Sequence, residues 1–206
     1  MKGYTKKCRL CRTAGEKLFL KGERCFSPHC PLERKGAVPP GQHGARARRK
    51  TSDYGVRLRE KQKIKRIYGI SERQMKRYFS EARSAKSATG ERILQILELR
   101  LDNVVYRLGF SPSRRLARQL VDHRHVLVDG KIVNIPSFLA KAGQVISLDG
   151  KSLTMVPVKS LVEKKDFALP TWLERKVSVG RVIRLPKRED IDTNVNEQLV
   201  VEYYSR

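Results

Sequence analysis

The stretch GFSPSRRLARQLVDHRHVLVDGKIVNIPS, residues 109–137, decides the fold, because its apolar spacing changes from that of a helix to that of a strand. Ser111 or Ser113 can cap a helix whose arginines face outward. Asp129-Gly130 follows between two short apolar runs, and this dipeptide is typical of a tight hairpin turn. The inward-facing helix positions are Leu116, Leu120 and Val121, and the strand positions are Val126, Val128, Ile132 and Val133. The stretch therefore predicts a basic helix followed by an antiparallel hairpin.

Helical patterns precede this stretch. A basic helix is predicted to begin near Asp53, and a second helix follows a capping box formed by Ser71 and Gln74. A third apolar pattern, from residue 93 to residue 108, is long for one helix, so we expect a break between Leu99 and Asp102. The expected core positions of the second helix are Met75, Tyr78, Phe79 and Ala82.

Strands are expected to alternate with short helices downstream. The sequence predicts strands at 145–148, at 153–158 and in GRVIRL, residues 180–185, with a short helix in 159–176 that ends before Pro170. NVNEQLVVEYY, residues 194–204, predicts a final helix with Asn194 as its cap.

The chain's four cysteines, Cys8, Cys11, Cys25 and Cys30, all lie in its first 30 residues. Their spacing is CxxC, thirteen residues, then CxxxxC, and two such turns can complete a tetrahedral shell around one metal ion. Nearby lysines and arginines favour the thiolate form that binds metal. Because four thiolates leave no open position for water or substrate, the predicted site is structural and not catalytic.

Other uses of these cysteines remain open. The spacing is compatible with one structural Zn²⁺ and also with a four-iron four-sulfur cluster, since proline follows the last cysteine. His29 lies within the second pair and could replace a thiol, but a surface or phosphate-facing imidazole is the preferred interpretation. Disulfides are disfavoured, because the chain lacks an apolar signal segment and is expected in the reducing cytoplasm.

The charge balance indicates a polyanionic partner. Lys and Arg number 45 against 21 Asp and Glu, which leaves a net charge of +24, and such self-repulsion is tolerated where an anion is bound. A membrane is disfavoured, because no apolar run approaches the ~20 residues of a spanning helix. Nucleic acid is therefore the favoured partner, and no small-molecule substrate is expected.

Basic residues cluster in three places. The first follows Pro39-Pro40-Gly41, where a stiffened loop predicts an arm that grips phosphates. The second is the helix after Asp53, and the third is the helix–hairpin stretch. The RNA-binding candidates are Arg46, Arg48, Arg49, Lys50, Arg57, Arg59, Lys61, Lys63, Lys65, Arg66, Arg107, Arg114, Arg115, Arg118, Gln119, His123, His125 and Lys131.

LELRLDNVVYRLGF, residues 97–110, together with the helix–hairpin stretch, closely resembles the RNA-binding module named after ribosomal protein S-four. PPGQHGARARRKTSDYGVRLREKQKIKRIYGI, TGERILQILELRLDNVVYRLGF and NEQLVVEYYSR extend the resemblance to the whole bacterial small-subunit S-four family. Members of that family usually carry glycine where Arg124 stands and asparagine where Asp129 stands.

The resemblance implies an α+β fold, with a helical domain interrupted by a small module of helices and antiparallel hairpins. It predicts a four-cysteine metal knuckle and basic arm at 1–44, a mainly helical domain at 45–97 and 177–206, and the RNA-binding module at 98–176. Implied partners are 16S ribosomal RNA, at a helical junction in its 5′ domain, messenger RNA transiently, and neighbouring proteins at the messenger entrance of the small subunit. The protein would nucleate subunit assembly and support translation fidelity there.

Two other classes compete with this interpretation. An RNA-modifying enzyme could carry the same module, but it would need a further catalytic domain, and Asp102 and Asp122 are better explained as helix-face or capping residues. A zinc-dependent transcription factor would explain the charge and the cysteines, but a clear recognition helix is missing beside them.

Overall fold

The computed structural model describes residues 6–44, 46, 51–85, 88–163 and 167–205. Within these residues the chain divides into two compact units, which are described separately below. The first, the discontinuous unit, comprises residues up to 76 together with the segment from 195 onward, and the second, the contiguous unit, comprises residues 77–194.

The discontinuous unit is helical. Helix α3 is its main element, and Ser52 caps it by accepting a hydrogen bond from the Gly55 N–H at 3.3 Å. Helix α10 packs along α3. The helices are α1 (Lys7–Ala14), α2 (Pro31–Lys35), α3 (Asp53–Tyr68), the start of α4 (Glu72–Arg83) and α10 (Glu197–Tyr204), with a short 3-10 helix at Gly22–Cys25.

The predicted capping box of α4 is confirmed. The Gln74 N–H donates to Ser71 Oγ at 3.2 Å, and the Ser71 N–H donates to Gln74 Oε1 at 3.3 Å. The four expected core positions, Met75, Tyr78, Phe79 and Ala82, are all buried. Helical periodicity alone was therefore sufficient to place the buried face of α4.

The contiguous unit joins helices to a sheet. The predicted break in its first long apolar pattern is confirmed, because one helix ends at Glu98 and the next begins at Leu101. Within the described residues the sheet has five strands in the order β2-β1-β3-β5-β4, and every neighbouring pair is antiparallel. The elements are α5 (Thr89–Glu98), α6 (Leu101–Arg107), α7 (Arg114–Asp122), β1 (Val126–Val128), β2 (Lys131–Ile132), β3 (Val145–Leu148), α8 (Gly150–Leu153), α9 (Val156–Val162), β4 (Leu173–Lys176) and β5 (Val179–Val182).

One apolar core fills this unit. Trp172 before β4 and Leu108 after α6 are fully buried, and β5 approaches α6 so closely that Gly180 faces Leu108. The other large members include Leu101, Val104, Val105, Phe110, Leu120, Val121, Val126 and Ile146. This core fixes α6 and α7 against one face of the sheet.

Three expectations differ from the structure. Residues 153–158 were predicted as a strand, but they lie in α8, α9 and the turn between them, because Asp149 caps α8 by accepting from the Ser152 N–H at 2.8 Å and a proline occupies the first turn of α9. Asn196 and not Asn194 caps α10, since its side-chain oxygen accepts from Gln198 and Leu199. The predicted boundary at residue 176 falls within the β4–β5 hairpin, which belongs wholly to the contiguous unit.

Candidate nucleic-acid interface and cysteine segment

Helix α7 presents the clearest basic face of the contiguous unit. Ser113 caps it by accepting a hydrogen bond from the Leu116 N–H at 3.3 Å. Its buried residues are Ala117, Leu120 and Val121. Helical spacing therefore leaves Arg115 and Gln119 exposed, with Arg118 at the edge of this face, 3.7 Å from the Asp122 carboxylate.

Arg114 is held more firmly than its neighbours. Its Nε donates to Asn103 Oδ1 at 2.7 Å, and its guanidinium lies 4.5 Å from the centre of the Tyr106 ring. Asn103 in turn donates to Glu98 Oε2 at 2.7 Å. The Arg114 cation is consequently preorganised by the fold.

The end of α7 carries an unusual cap. The Arg124 N–H donates to Val121 O at 3.0 Å and the His125 N–H donates to Leu120 O at 2.9 Å, which is the hydrogen-bond pattern of a Schellman motif. Arg124 occupies the left-handed position of that motif at φ +66°, where glycine is the usual residue because it has no Cβ. The Arg124 side chain is exposed, and it lies between His123 and His125 in sequence.

The predicted hairpin turn is confirmed. Val128 pairs with Lys131, so Asp129 and Gly130 form a two-residue loop, and both have positive φ, at +49° and +77°. The Asp129 carboxylate also accepts from the Val145 N–H at 2.9 Å and from Gln144 Nε2 at 3.1 Å. Lys131 is exposed at the start of β2.

The two histidines after α7 differ in their surroundings. His125 Nδ1 lies 3.2 Å from Asp149 Oδ1, whereas His123 is exposed, with its ring 6.4 Å from that of His125. Burial tends to raise the pKa of Asp149, but hydrogen bonds from Ser152 and His125 outweigh it and lower the pKa overall. The hairpin end of the module thus combines exposed His123, Arg124 and Lys131 with an anchored His125.

The charges of α3 are largely engaged within the discontinuous unit. Lys61 and Lys65 bind the two oxygens of Glu72 at 3.1 and 2.5 Å, and Lys61 also lies 4.3 Å from the centre of the Tyr203 ring. Lys63 binds Glu16 at 2.7 Å, and Arg57 binds Glu202 at 2.6 Å. These four cations help hold the unit together, so an RNA contact from them remains a prediction.

Glu72 is the centre of this charge cluster. Burial tends to raise its pKa, but hydrogen bonds from Lys65, Tyr204 and Lys61 lower it to about 2. Tyr204 donates to Glu72 at 2.7 Å, and the pKa of Tyr204 is raised by burial and by that carboxylate. One acidic side chain thereby links α3, α4 and α10.

The remaining predicted RNA-binding residues are dispersed. Arg59 is exposed on α3, while Arg66 is partly buried and its pKa is lowered by desolvation. Arg107 forms a 2.8 Å ion pair with Glu98 in the contiguous unit. Arg46 is exposed on the basic arm, and Arg48, Arg49 and Lys50 lie outside the described residues.

Asp102 has a structural role that the sequence did not indicate. It forms a buried pair with Arg100 at 2.6 Å, and Arg100 also donates to the Tyr78 hydroxyl at 2.7 Å. Burial raises the pKa of Asp102 despite the opposing Arg100 charge. The sequence predicts a helix-face or capping role for Asp102. It does not predict the buried pair, because apolar periodicity does not indicate that Arg100 is buried.

The cysteine segment comprises residues 6–44. Cys8 and Cys11 lie on α1 and not in the turn expected for CxxC, Cys25 ends the 3-10 helix, and Cys30 caps α2. All four thiols are free, and three of them are buried. Burial raises the pKa of Cys11, a backbone hydrogen bond from Leu18 opposes that rise, and the other three cysteines add to it.

The cysteine side chains do not converge as a metal centre. Across the described part of the chain, no group of three or more Cys, His, Asp or Glu side chains has the arrangement of metal ligands. Four free thiols nevertheless form the donor set that zinc prefers, and the Lys21 N–H donates to Cys25 Sγ at 3.3 Å, as outer groups do around thiolate ligands.

A second basic surface lies in the cysteine segment: the sequence predicted that His29 lies at the surface, and it is exposed, but did not group it with Arg24 and Arg34. Arg24, His29 and Arg34 line an open pocket of about 490 Å³ together with Glu23 and Ser27. The basic residues are five apart in sequence, which matches no helix or strand period. Only the fold of the segment between α1 and α2 brings them together.

Comparisons with known proteins cover nearly the whole chain. The ribosomal protein S4/S9 N-terminal domain family matches residues 2–98, and the S4 domain family matches residues 99–146. The chain is 57% identical to small ribosomal subunit protein uS4 of Dictyoglomus turgidum and 53% identical to that of Thermus thermophilus, in each case over 97% of this chain and 96% of the relative. It is 52% identical to uS4A of Symbiobacterium thermophilum over the same shares. None of the described helices is long and apolar enough to span a bilayer.

Proposed function

The chain belongs to the uS4 family of small ribosomal subunit proteins, and from this premise we propose that it binds 16S ribosomal RNA at a helical junction of the 5′ domain and nucleates assembly of the subunit. It is a structural component of that subunit and not an enzyme. The observation that carries the RNA contact is the exposed basic face formed by α7 and the β1–β2 hairpin, within a module that matches the S4 domain.

The chemistry of this face suits folded RNA. Such RNA is recognised mainly by its shape and by the positions of its phosphates, which cationic side chains on a rigid scaffold can match. Arg115 and Gln119 are exposed on α7, whose other face packs in the core, and Lys131 is exposed on β2, which pairs with β1. Arg114 adds a cation whose direction is fixed by Asn103 and Tyr106. The helix–hairpin face therefore offers phosphates a largely preformed surface.

The test is binding of the full chain to a transcript of the 5′-domain junction at several salt concentrations. Arg115→Ala should weaken binding and reduce the slope of log affinity against log salt by about 1, because one fewer counterion is released. Arg77→Ala removes an exposed arginine from α4 and is the matched control. An equal loss in both variants would show a general charge effect and would contradict a specific α7 contact.

The basic arm supports a second proposed role at the entrance of the messenger RNA channel. Its base is fixed, since Arg12 donates to Val38 O at 2.7 Å and to Pro39 O at 3.2 Å. A cation presented from this base, such as exposed Arg46, would contact messenger phosphates without reading sequence. Neighbouring ribosomal proteins at that entrance would be its protein partners.

The messenger role is tested with two reporters, one of which carries a stable hairpin just downstream of the start. Alanine at Arg46, Arg48, Arg49 and Lys50 should permit subunit assembly but lower translation of the hairpin reporter selectively, because fewer cations hold the incoming strand. Equal losses on both reporters, or failed assembly, would leave the arm as a ribosomal-RNA clamp.

We also propose that Cys8, Cys11, Cys25 and Cys30 bind one structural Zn²⁺. The donor chemistry supports this, as does the burial of three of the thiols. When bound, the ion would cross-link α1 to the segment that precedes α2. The segment needs such a link, because it has few buried apolar residues of its own. A four-iron four-sulfur cluster on the same cysteines is the alternative.

Metal analysis of natively purified protein should give one zinc per chain, with neither iron nor acid-labile sulfide. Cys8→Ser or Cys25→Ser should lose the metal and expose residues 6–44 to limited proteolysis, while the circular dichroism of the remaining chain changes little. Ser27→Ala, within the same segment, is the control. Full metal retention in both cysteine variants would exclude this site, and iron with sulfide would favour the cluster.

A further inference from the structure

The cysteine segment exposes two stacked aromatic rings. Phe26 is 72% exposed and Phe19 is 38% exposed. Their ring centres are 5.0 Å apart with an interplanar angle of 26°. A phenylalanine pair of this kind would normally be buried, so the segment presents a flat apolar surface to its surroundings.

The backbone fixes both rings. The Phe26 N–H donates to Glu23 O at 3.0 Å at the end of the 3-10 helix. Each ring also follows a buried residue in sequence, Leu18 before Phe19 and Cys25 before Phe26, which anchors the backbone. Phe19 has φ +49°, a left-handed conformation that is costly for an aromatic residue. The segment therefore keeps both rings exposed, although the hydrophobic effect favours their burial and the left-handed φ of Phe19 is unfavourable.

Basic side chains from the chain around Phe26 and from α2 line the open pocket described above. Arg24 and Ser27 lie within two residues of Phe26 in sequence, and His29 and Arg34 are the other basic residues of the lining. Arg24, His29 and Arg34 are exposed, and the Ser27 hydroxyl donates to Arg24 O at 3.2 Å. Glu23 is the acidic member, so the two arginines leave the pocket a positive balance. An exposed aromatic surface thus occurs in the same segment as a cationic pocket.

We propose that this segment forms a nucleotide-binding subsite for single-stranded RNA, in which an unpaired base stacks on Phe26 and an adjacent phosphate occupies the pocket of Arg24, His29 and Arg34. Flat rings beside cations are the arrangement that proteins use to bind unpaired bases without strict sequence preference. The subsite belongs to the discontinuous unit, whereas the α7–hairpin face belongs to the contiguous unit. The inference rests on the proposed RNA-binding function and extends it to unpaired nucleotides.

A protein neighbour is the competing occupant of these rings. It is disfavoured because the pocket in the same segment is cationic and the chain carries a net charge of +24, which suits a polyanion. Stacking also requires an aromatic ring, whereas an apolar protein contact accepts leucine in its place. That difference provides the test.

The probe is a single-stranded oligouridine nonamer with one central 2-aminopurine, whose fluorescence is quenched when the base stacks. Titration of the full chain should quench the probe. Phe26→Leu should weaken the quenching titration about tenfold or more, while Phe26→Tyr retains it, because each stacked base contributes substantially to affinity. Val156→Ala, which truncates an 82% exposed apolar residue of the other unit, should change nothing.

The charged half of the subsite is tested in parallel. Arg34→Ala should lower the salt slope of probe binding by about 1, and Arg73→Ala, at an exposed arginine of α4, should lower it less. Equal quenching by the native chain, Phe26→Leu and Phe26→Tyr would overturn the subsite, as would absent quenching by a native chain that still binds the 5′-domain transcript. A native chain that fails to bind that transcript would instead overturn the proposed function.

Discussion

The two units of the chain are stabilised by different interactions. In the contiguous unit, residues from α6, α7 and the strands share one apolar core. In the discontinuous unit, α3 has buried apolar residues on one side, but Lys61 and Lys63, only 4% and 7% exposed, are buried through their acidic partners. A chain with so many cations can fold in two ways: it can direct the charges away from a core, or it can pair them inside.

This difference determines which basic side chains are exposed to RNA and which are engaged in ion pairs within the fold. On α7 the apolar core takes one side, so arginines on the other side remain exposed. On α3 the acids of α4, α10 and the cysteine segment bind several of the basic side chains. Counting basic residues along a helix therefore overestimates its RNA contacts wherever acidic partners fold onto it.

Leu108→Ala should produce the largest effect, because it removes a fully buried side chain from the core of the contiguous unit. We expect a loss of about 2–5 kcal/mol in the free energy of unfolding, from lost apolar burial and the residual cavity. The loss should be nearly independent of salt, since no charge is involved. Urea denaturation at low and high salt measures it, with the partly exposed Leu185→Ala as control. A strongly salt-dependent loss would contradict the comparison.

Gly180→Ala tests the packing of the same core from the strand side. A Cβ at this position would lie 2.4 Å from Leu108 Cδ1, so the leucine or the strand must shift. We expect destabilisation of about 1–3 kcal/mol by thermal unfolding. Gly150→Ala is the control, because a Cβ there meets no atom within 4 Å. Restored stability in the double variant Gly180→Ala, Leu108→Val would confirm the contact.

Glu72→Gln tests the charge cluster of the discontinuous unit. We expect a loss of about 1 kcal/mol at neutral pH, smaller than for a fully buried pair because Glu72 is partly exposed. The pKa of Glu72 is lowered from 4.5 to about 2, so its contribution is complete above pH 4.5 and disappears as the pH falls toward 2. The stabilities of native and variant chains should thus converge in acid. A constant difference across this pH range would exclude the ionised carboxylate as the cause.

Arg124→Gly should have the smallest effect on stability, and it should stabilise the chain, whereas the three preceding substitutions destabilise it. Relief of the left-handed strain stabilises the folded chain, while the added freedom of glycine when unfolded offsets part of the gain, which leaves a net increase of about 0.5 kcal/mol. Binding to the 5′-domain transcript should weaken, because an exposed cation is lost. Arg124→Asn, which tolerates the same backbone, separates the two effects. Unchanged RNA binding in both variants would mean that the strained arginine serves no contact.

Local signals predicted much of the fold. Ser71 with Gln74, the spacing around Phe79, and Asp129-Gly130 each depend on neighbours within a few residues, and each is confirmed. Residues 153–158 were assigned wrongly because their apolar run suits a strand, and the competing Asp149 cap was not recognised. The partner choice between β3 and β5 depends on residues distant in sequence, which periodicity does not encode.

The candidate sites were less predictable than the fold. Residue type identified the basic face of α7 and the cysteine set, which are concentrated in sequence. It could not distinguish exposed Arg115 from Lys63, because the partner of Lys63 is Glu16, far away along the chain. The sequence likewise did not indicate the exposed Phe19–Phe26 pair, since exposure of an aromatic residue follows from tertiary structure. Pairing and exposure are properties of the folded chain, and they decide which cations and rings can meet a ligand.

The packing of α10 along α3 has a consequence for the order in which the chain matures. During synthesis, the contiguous unit, residues 77–194, emerges as one uninterrupted segment ahead of α10. Helix α3 is synthesised much earlier, yet Arg57 cannot bind Glu202, and Glu72 cannot accept from Tyr204, until α10 has been made. Until α10 is present, the Arg57 guanidinium lacks the Glu202 carboxylate, whereas Lys61 and Lys65 can already bind Glu72. Helix α10 therefore completes the discontinuous unit, and it is the last of the described helices to be synthesised.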